Sequence, residues 1–121
     1  MGLFDKKLIF QKIELTRSKI DSDTTTTIKV NIKNFKESFD NVILKISTDD
    51  ENNEYLKISN PLIRLSSLTL PNQNTGEHEI TIIPHNIPLN KMSFNVKVEV
   101  FGNDQEKPLL TREFNLTVNK K

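Results

Sequence analysis

His78 and His85 are the only histidines in the chain, and a pair of imidazoles is where zinc ligation or acid–base work would first be sought. His78 shares the parity of Ile80 and Ile82, which sets it where a strand enters the core, while His85 follows Pro84 in a loop. No third ligand stands at a supporting spacing, so both are read as structural or solvated. Asp49, Glu51 and Asn53 place oxygen-bearing side chains at alternate positions, as a calcium loop does. An EF-hand also needs a glycine at its sharp turn, a distal bidentate glutamate and flanking helices, and none is here. Asp21 and Asp23 belong to another loop that sequence cannot bring alongside. A solvated hairpin tip is the favoured reading.

Other chemistry is poorly served. There is no cysteine, so no thiolate nucleophile, no disulfide and no cysteine-based zinc site can form. Gly2, Gly76 and Gly102 are isolated, which leaves no glycine-rich phosphate loop, and no nucleophile elbow of the G-x-S-x-G kind occurs. Catalytic residues, metal ligands and cofactors are therefore not expected, and the chain does not read as an enzyme.

Composition narrows the partners. A length of 121 residues fits one domain spanning 1–121. With 17 basic and 16 acidic residues, no surplus field exists to hold a nucleic acid. No stretch approaches the roughly 20 apolar residues of a membrane span, so membrane insertion is not expected. The charged start is followed only by Leu8, Ile9 and Phe10, too short a run for a signal peptide. Lys6 stands where a myristoylation signal at Gly2 would want Ser or Thr. As it stands the chain reads as cytoplasmic, or extracellular if an export signal has been removed.

Side chains of this kind must be positioned by strands. Met92, Phe94, Val96, Val98 and Val100 alternate with polar residues, as do Ile28, Val30 and Ile32, and Phe114, Leu116 and Val118. That period of two marks strands with one face on a core and one in water. Val42, Leu44 and Ile46 predict a fourth strand, and Ile80 with Ile82 a fifth that Pro84 closes. Near the start, Ile9, Ile13 and Leu15 share one parity while Leu8 and Phe10 take the other, which implies two covered faces or a bulge. Leu56 with Ile58 is a weaker segment. So is the run Ile63, Leu65, Leu68 and Leu70, where a parity change across Ser66 and Ser67 suggests another bulge. Turn-forming clusters at 49–53, 71–76 and 102–104 separate these runs. The fold predicted is an all-β, immunoglobulin-like antiparallel β-sandwich of about seven or eight strands.

The segment Thr25 to Ser47, TTTIKVNIKNFKESFDNVILKIS, resembles the second and third strands of CARDB-type and fibronectin type III-like domains: an alternating strand ending in a basic residue and Asn, a short loop, and another alternating strand. The likeness continues through Leu65 to Pro71 and Gly76 to Ile82. It departs at Lys36, where such domains often have Gly, and at the extra residues Asn72 to Thr75. The resemblance implies an accessory or adhesion-like binding module without enzymatic residues, commonly exported.

Recognition would then fall to loops and rims. In this topology the loops holding Phe35 with Phe39 and Phe101 with Asn103 emerge at one end of the sandwich. The rings either form an apolar contact patch or fold back to plug the core. Ile43 breaks the polar face of its strand, beside where Lys45 and Lys97 would lie if the two strands pair. The first strand, Leu8 to Thr16, and the last, Leu110 to Val118, carry Lys12, Arg17, Arg112 and Glu113. They read equally as edges open to strand addition and as edges guarded by charge. The function expected is a non-catalytic module for protein–protein contact or self-association, with no small-molecule ligand. The runner-up is an exported envelope or adhesion accessory domain that contacts carbohydrate or surface protein.

Overall fold

The computed structural model describes residues 7–50 and 52–121. Gly2, Lys6 and Glu51, weighed above, lie outside them.

Alternation becomes strands in order: β1 (Leu8–Leu15), β2 (Lys19–Asp21), β3 (Thr26–Asn34), β4 (Ile43–Thr48), β5 (Leu56–Ile58), β6 (Leu62–Arg64), β7 (His78–Pro84), β8 (Lys91–Phe101) and β9 (Leu110–Asn119). They form a four-stranded sheet, β1-β3-β7-β5, and a five-stranded sheet, β2-β9-β8-β4-β6. The fold is the all-β, immunoglobulin-like sandwich that the periodicity predicts. All pairings are antiparallel except β2 with β9.

The core is the inner row of each strand. Ile28, Val30 and Ile32 of β3, Ile80 and Ile82 of β7, Leu44 and Ile46 of β4, and Val96, Val98 and Val100 of β8 are all buried. Each such side chain removed from water contributes about 1.5–3 kcal/mol before chain entropy is set against it. In β1 the register with β3 shifts between Phe10 and Lys12, so Gln11 is a bulge. That bulge brings Leu8 and Phe10 onto the inner row with Ile13 and Leu15, opposite Ile32, Val30 and Ile28, and resolves the mixed parity.

Three expectations need correction. β2 has no counterpart in the sequence reading, because a three-residue strand holding one buried residue, Ile20, is too short to display a period. The run from Leu65 to Leu70 is not a strand beyond Arg64. Leu65 and Leu68 are buried from irregular backbone, Leu68 forms an isolated bridge with Phe39, and Leu70 is exposed. Ile43 does not sit beside Lys97, because β4 and β8 pair in a register that sets Ile43 across from Phe101 and Ser47 across from Lys97.

The turn clusters hold up for a reason visible in the backbone. Asn53, Asn72, Asn103 and Asp104 all have positive φ, as does Gly76 at 81°. Asn and Asp tolerate the left-handed region better than other side chains. The residues Asn72 to Thr75, which depart from the family pattern, extend the sheet. The Thr75 amide donates to the Ile32 carbonyl at 2.9 Å, and the Ile32 amide to Thr75 Oγ1 at 3.1 Å.

The two sides of the sandwich close differently. On one, the chain steps from β5 to β6 through residues 59–61 and so links the sheets. On the other it steps from β1 to β2 through residues 16–18. There Thr26 Oγ1 accepts from the Arg17 amide at 3.0 Å and donates to the Arg17 carbonyl at 2.8 Å. That crossover covers only the half of the side nearest β2.

Candidate functional site

The half left uncovered by the described residues lies between β1 and the first half of β9. β9 pairs with β8 along its whole length, from Leu110 opposite Val100 to Asn119 opposite Lys91. On its other side β2 reaches only Thr117 to Asn119. From Leu110 to Leu116 that second side has no strand partner among the described residues.

A groove of roughly 700 Å³ follows this gap. Leu8, Phe10 and Ile13 line it from β1, Leu109, Leu110 and Arg112 from β9 and its approach, and Phe39 lies at its inner end. Phe10, Ile13, Leu109 and Leu110 are only partly buried, packed on the core from one side. Arg112 is on the inner row, since it pairs with the buried Val98. Its guanidinium carbon lies 5.3 Å from the centroid of the Phe114 ring, a cation–π contact. Lys7, also on the groove, pairs with Glu37 at 3.4 Å.

The two loops expected at one end do meet there. The Asp40 amide donates to Asn103 Oδ1 at 2.8 Å, the Asn103 amide to the Asp40 carbonyl at 2.7 Å, and Asn41 Nδ2 to Asp104 Oδ1 at 3.1 Å. The three rings do not share a surface, however. Phe39 is 2% exposed and exchanges backbone hydrogen bonds with Leu68, so it plugs the sandwich. Phe35 is half-buried beyond the end of β3, with Lys33 Nζ 5.7 Å from its ring centroid. Phe101 is half-buried on the outer face of the five-stranded sheet, opposite Ile43. Leu62, one of the most exposed large apolar residues at 65%, lies opposite Lys45 on that same face, one step along β4 from Ile43. Asn103 is exposed, and its side-chain oxygen is spent on the loop contact.

Asp49, Asp50 and His85 are engaged in loop hydrogen bonds. Asp50 accepts from the amides of Glu54, Tyr55 and Leu56 at 3.2, 2.9 and 3.0 Å, and Asp49 Oδ1 from the Asn95 amide at 3.0 Å. His85 bonds the Asn53 carbonyl through Nε2 at 3.0 Å and the Asn86 amide group through Nδ1 at 3.1 Å. His78 pairs across from Val30, half-buried. Among the described residues no three His, Asp or Glu side chains gather closely enough to hold a metal ion.

Sequence reasoning overlooked the groove and the role of Asn34. The groove joins side chains about a hundred positions apart, so no local spacing announces it. Asn34 did carry a signal, as the polar residue that follows Ile28, Val30 and Ile32 in the buried row of β3.

No protein-family model matches the sequence, and no curated protein matches it. Solved structures share the fold at low identity. The periplasmic chaperone SfaE is 14% identical with a TM-score of 0.56, over 91% of this chain and 57% of that one. The CARDB domain of the PF1109 protein from Pyrococcus furiosus, a complex with di-metal ions, is 10% identical with a TM-score of 0.53, over 96% and 97%. AvmM, which catalyses macrocyclisation in alchivemycin A biosynthesis, is 9% identical with a TM-score of 0.55, over 97% and 91%. The chain thus spans just over half the length of SfaE and nearly all of the CARDB domain. The CARDB-like, immunoglobulin-like architecture implied by the resemblance is the architecture found.

Proposed function

We propose that this domain is a non-catalytic binding module that engages a protein partner along the open side of its sandwich, between β1 and β9. The observation that carries the reading is the stretch Leu110 to Leu116, unpaired on one side among the described residues, beside a groove of partly buried apolar side chains. Backbone left unpaired at a rim and apolar area left half-covered are both satisfied by another chain. His85, Asp49 and Asp50, already committed to loop hydrogen bonds, favour binding over catalysis. A chaperone among proteins of the same fold accords with a protein partner. Without cysteine the domain keeps its fold in reducing and oxidising surroundings alike, so the reading suits either side of a membrane.

A second contact face is favoured by one observation, the apolar pair Ile43 and Phe101 with exposed Leu62 nearby on the outer sheet face. Photo-crosslinking in the native cell separates the two. A photoreactive phenylalanine analogue replaces Leu110 in one variant, Phe101 in another and Lys57, on the far edge, in a control. A discrete adduct from position 110 alone is the expected result. An adduct from 101 alone moves the contact to the sheet face, and none above the Lys57 background overturns the binding reading.

A further inference from the structure

The rims of the sandwich are unequal. β2, β5 and β6 are three-residue edges, too short to template another chain. β1 is longer but broken by its bulge at Gln11. β9 has neither protection from Leu110 to Leu116, where its register with β8 runs without a shift. The peptide groups of Thr111, Glu113 and Asn115 face the open side. Asn95, opposite Asn115, donates its amide to Asp49 Oδ1 at 3.0 Å and accepts from the Asp49 amide at 3.3 Å, on the side away from β9. Residues 95 and 115 are therefore a non-hydrogen-bonded pair, and the odd positions of β9 turn outward from the sheet. Thr117, of the same parity, donates its amide to the Ser18 carbonyl at 2.8 Å.

Charge distinguishes this edge as well. Lys7 is paired with Glu37, but Arg112 has no carboxylate within ion-pair reach among the described residues. It stands on the inner row between Leu110 and Phe114, where an apolar side chain would continue the core. Among the described residues no acidic side chain lines the groove.

We infer that the free half of β9 takes up an extended segment of another protein, and that this segment carries an acidic side chain that pairs with Arg112. The inference rests on the protein-binding reading and names the chemistry of the partner. The segment joins as a strand whose peptide groups answer those of Thr111, Glu113 and Asn115. Its alternate side chains settle on Phe10 and Ile13, and its carboxylate meets the guanidinium in two-pronged geometry. An inward arginine also guards an edge against aggregation. The two roles separate cleanly: a guard works with either sign of charge, whereas a pairing residue needs the opposite sign.

The test is selection from a display library of random segments of about ten residues, roughly the length of a long strand. The baits are the wild-type protein, Arg112→Glu and Arg112→Gln. Arg112 is exposed, so both variants should fold, which circular dichroism checks. Wild type is expected to enrich alternating apolar segments with an acidic residue in constant register. Arg112→Glu exchanges that preference for a basic residue, and Arg112→Gln weakens the wild-type winners about tenfold or more. Winners that shift the amide resonances of Thr111 and Glu113 support the edge, and winners that shift Ile43 and Phe101 overturn it. Enrichment indifferent to the sign at position 112 overturns the acidic partner but leaves the protein-binding reading standing. No enrichment above an unrelated sandwich domain fells both. Binding that emerges only in a variant beginning at Lys7 assigns the groove to the chain's own terminus, and dimers that compete with the winners assign it to a second copy. Either outcome overturns the inference.

Discussion

Asn34 and Gln73 hold each other twice: the Asn34 amide donates to the Gln73 carbonyl at 3.1 Å, and the Gln73 amide donates to Asn34 Oδ1 at 2.8 Å. Asn34 Nδ2 also donates to the carbonyls of Glu37 at 2.7 Å and Leu70 at 3.0 Å. One fully buried side chain thus ties the end of β3 to the loop that carries Phe39 and to the segment that carries Leu68. The end of the sandwich that floors the groove is set by this residue.

Asn34→Ala should therefore cost about 2–4 kcal/mol, since it leaves three part-buried backbone groups without the side chain that binds them. Asn34→Asp should cost more at neutral pH, because a carboxylate has no hydrogen to give two carbonyls and buries a charge. Urea unfolding of the pair measures both. An Asp variant as stable as wild type contradicts the assignment.

Phe39 and Phe101 are expected to diverge. Phe39→Ala opens a cavity under the loop and should lose about 3–5 kcal/mol, whereas Phe101→Ala, on the outer sheet face, should lose about 1 kcal/mol or less. Equal losses in thermal or denaturant unfolding would mean that Phe101 is also a core residue.

Lys12 Nζ lies 2.7 Å from Glu77 Oε1 across the exposed face of the four-stranded sheet. The hydrogen bond from Lys12 holds the Glu77 carboxyl below its ordinary value, and the same bond raises Lys12 above its own. A depressed carboxylate stabilises the fold above its unfolded value and stops doing so as pH falls through the folded one. A raised lysine stabilises below its unfolded value and stops as pH rises through the folded one. The pair therefore contributes on a plateau that ends in acid at Glu77 and in strong alkali at Lys12. Both groups are exposed, so the contribution is small and screened by salt. In an NMR titration, Glu77 should protonate at higher pH in Lys12→Met than in wild type, and an unmoved titration would show that the bond does not form in solution.

How far the sequence announces this molecule depends on whether a feature repeats locally. The inner rows of β3, β8 and β9 are legible because each strand is long enough to alternate several times, and the β1 bulge shows as a change of parity. The turns are legible because Asn and Asp occupy the left-handed positions. β2 is hidden because Lys19 to Asp21 contains one buried residue, and Leu65 with Leu68 misleads because apolar side chains also reach a core from irregular chain. The candidate site is half legible. Arg112 and Lys12 mark β9 and β1, the strands that flank the groove, but only the register of Thr117 on Lys19 tells where β2 stops and the free stretch of β9 begins.

That free edge is open to direct inspection by residue-resolved hydrogen exchange of the isolated domain. The account predicts an alternation along β9: fast exchange at Thr111, Glu113 and Asn115, slow exchange at Arg112, Phe114 and Leu116, and protection of the fast set once a selected segment is bound. Uniform protection from Thr111 to Leu116 in the unliganded domain would mean that the edge is already paired, and would contradict the claim that it awaits a partner.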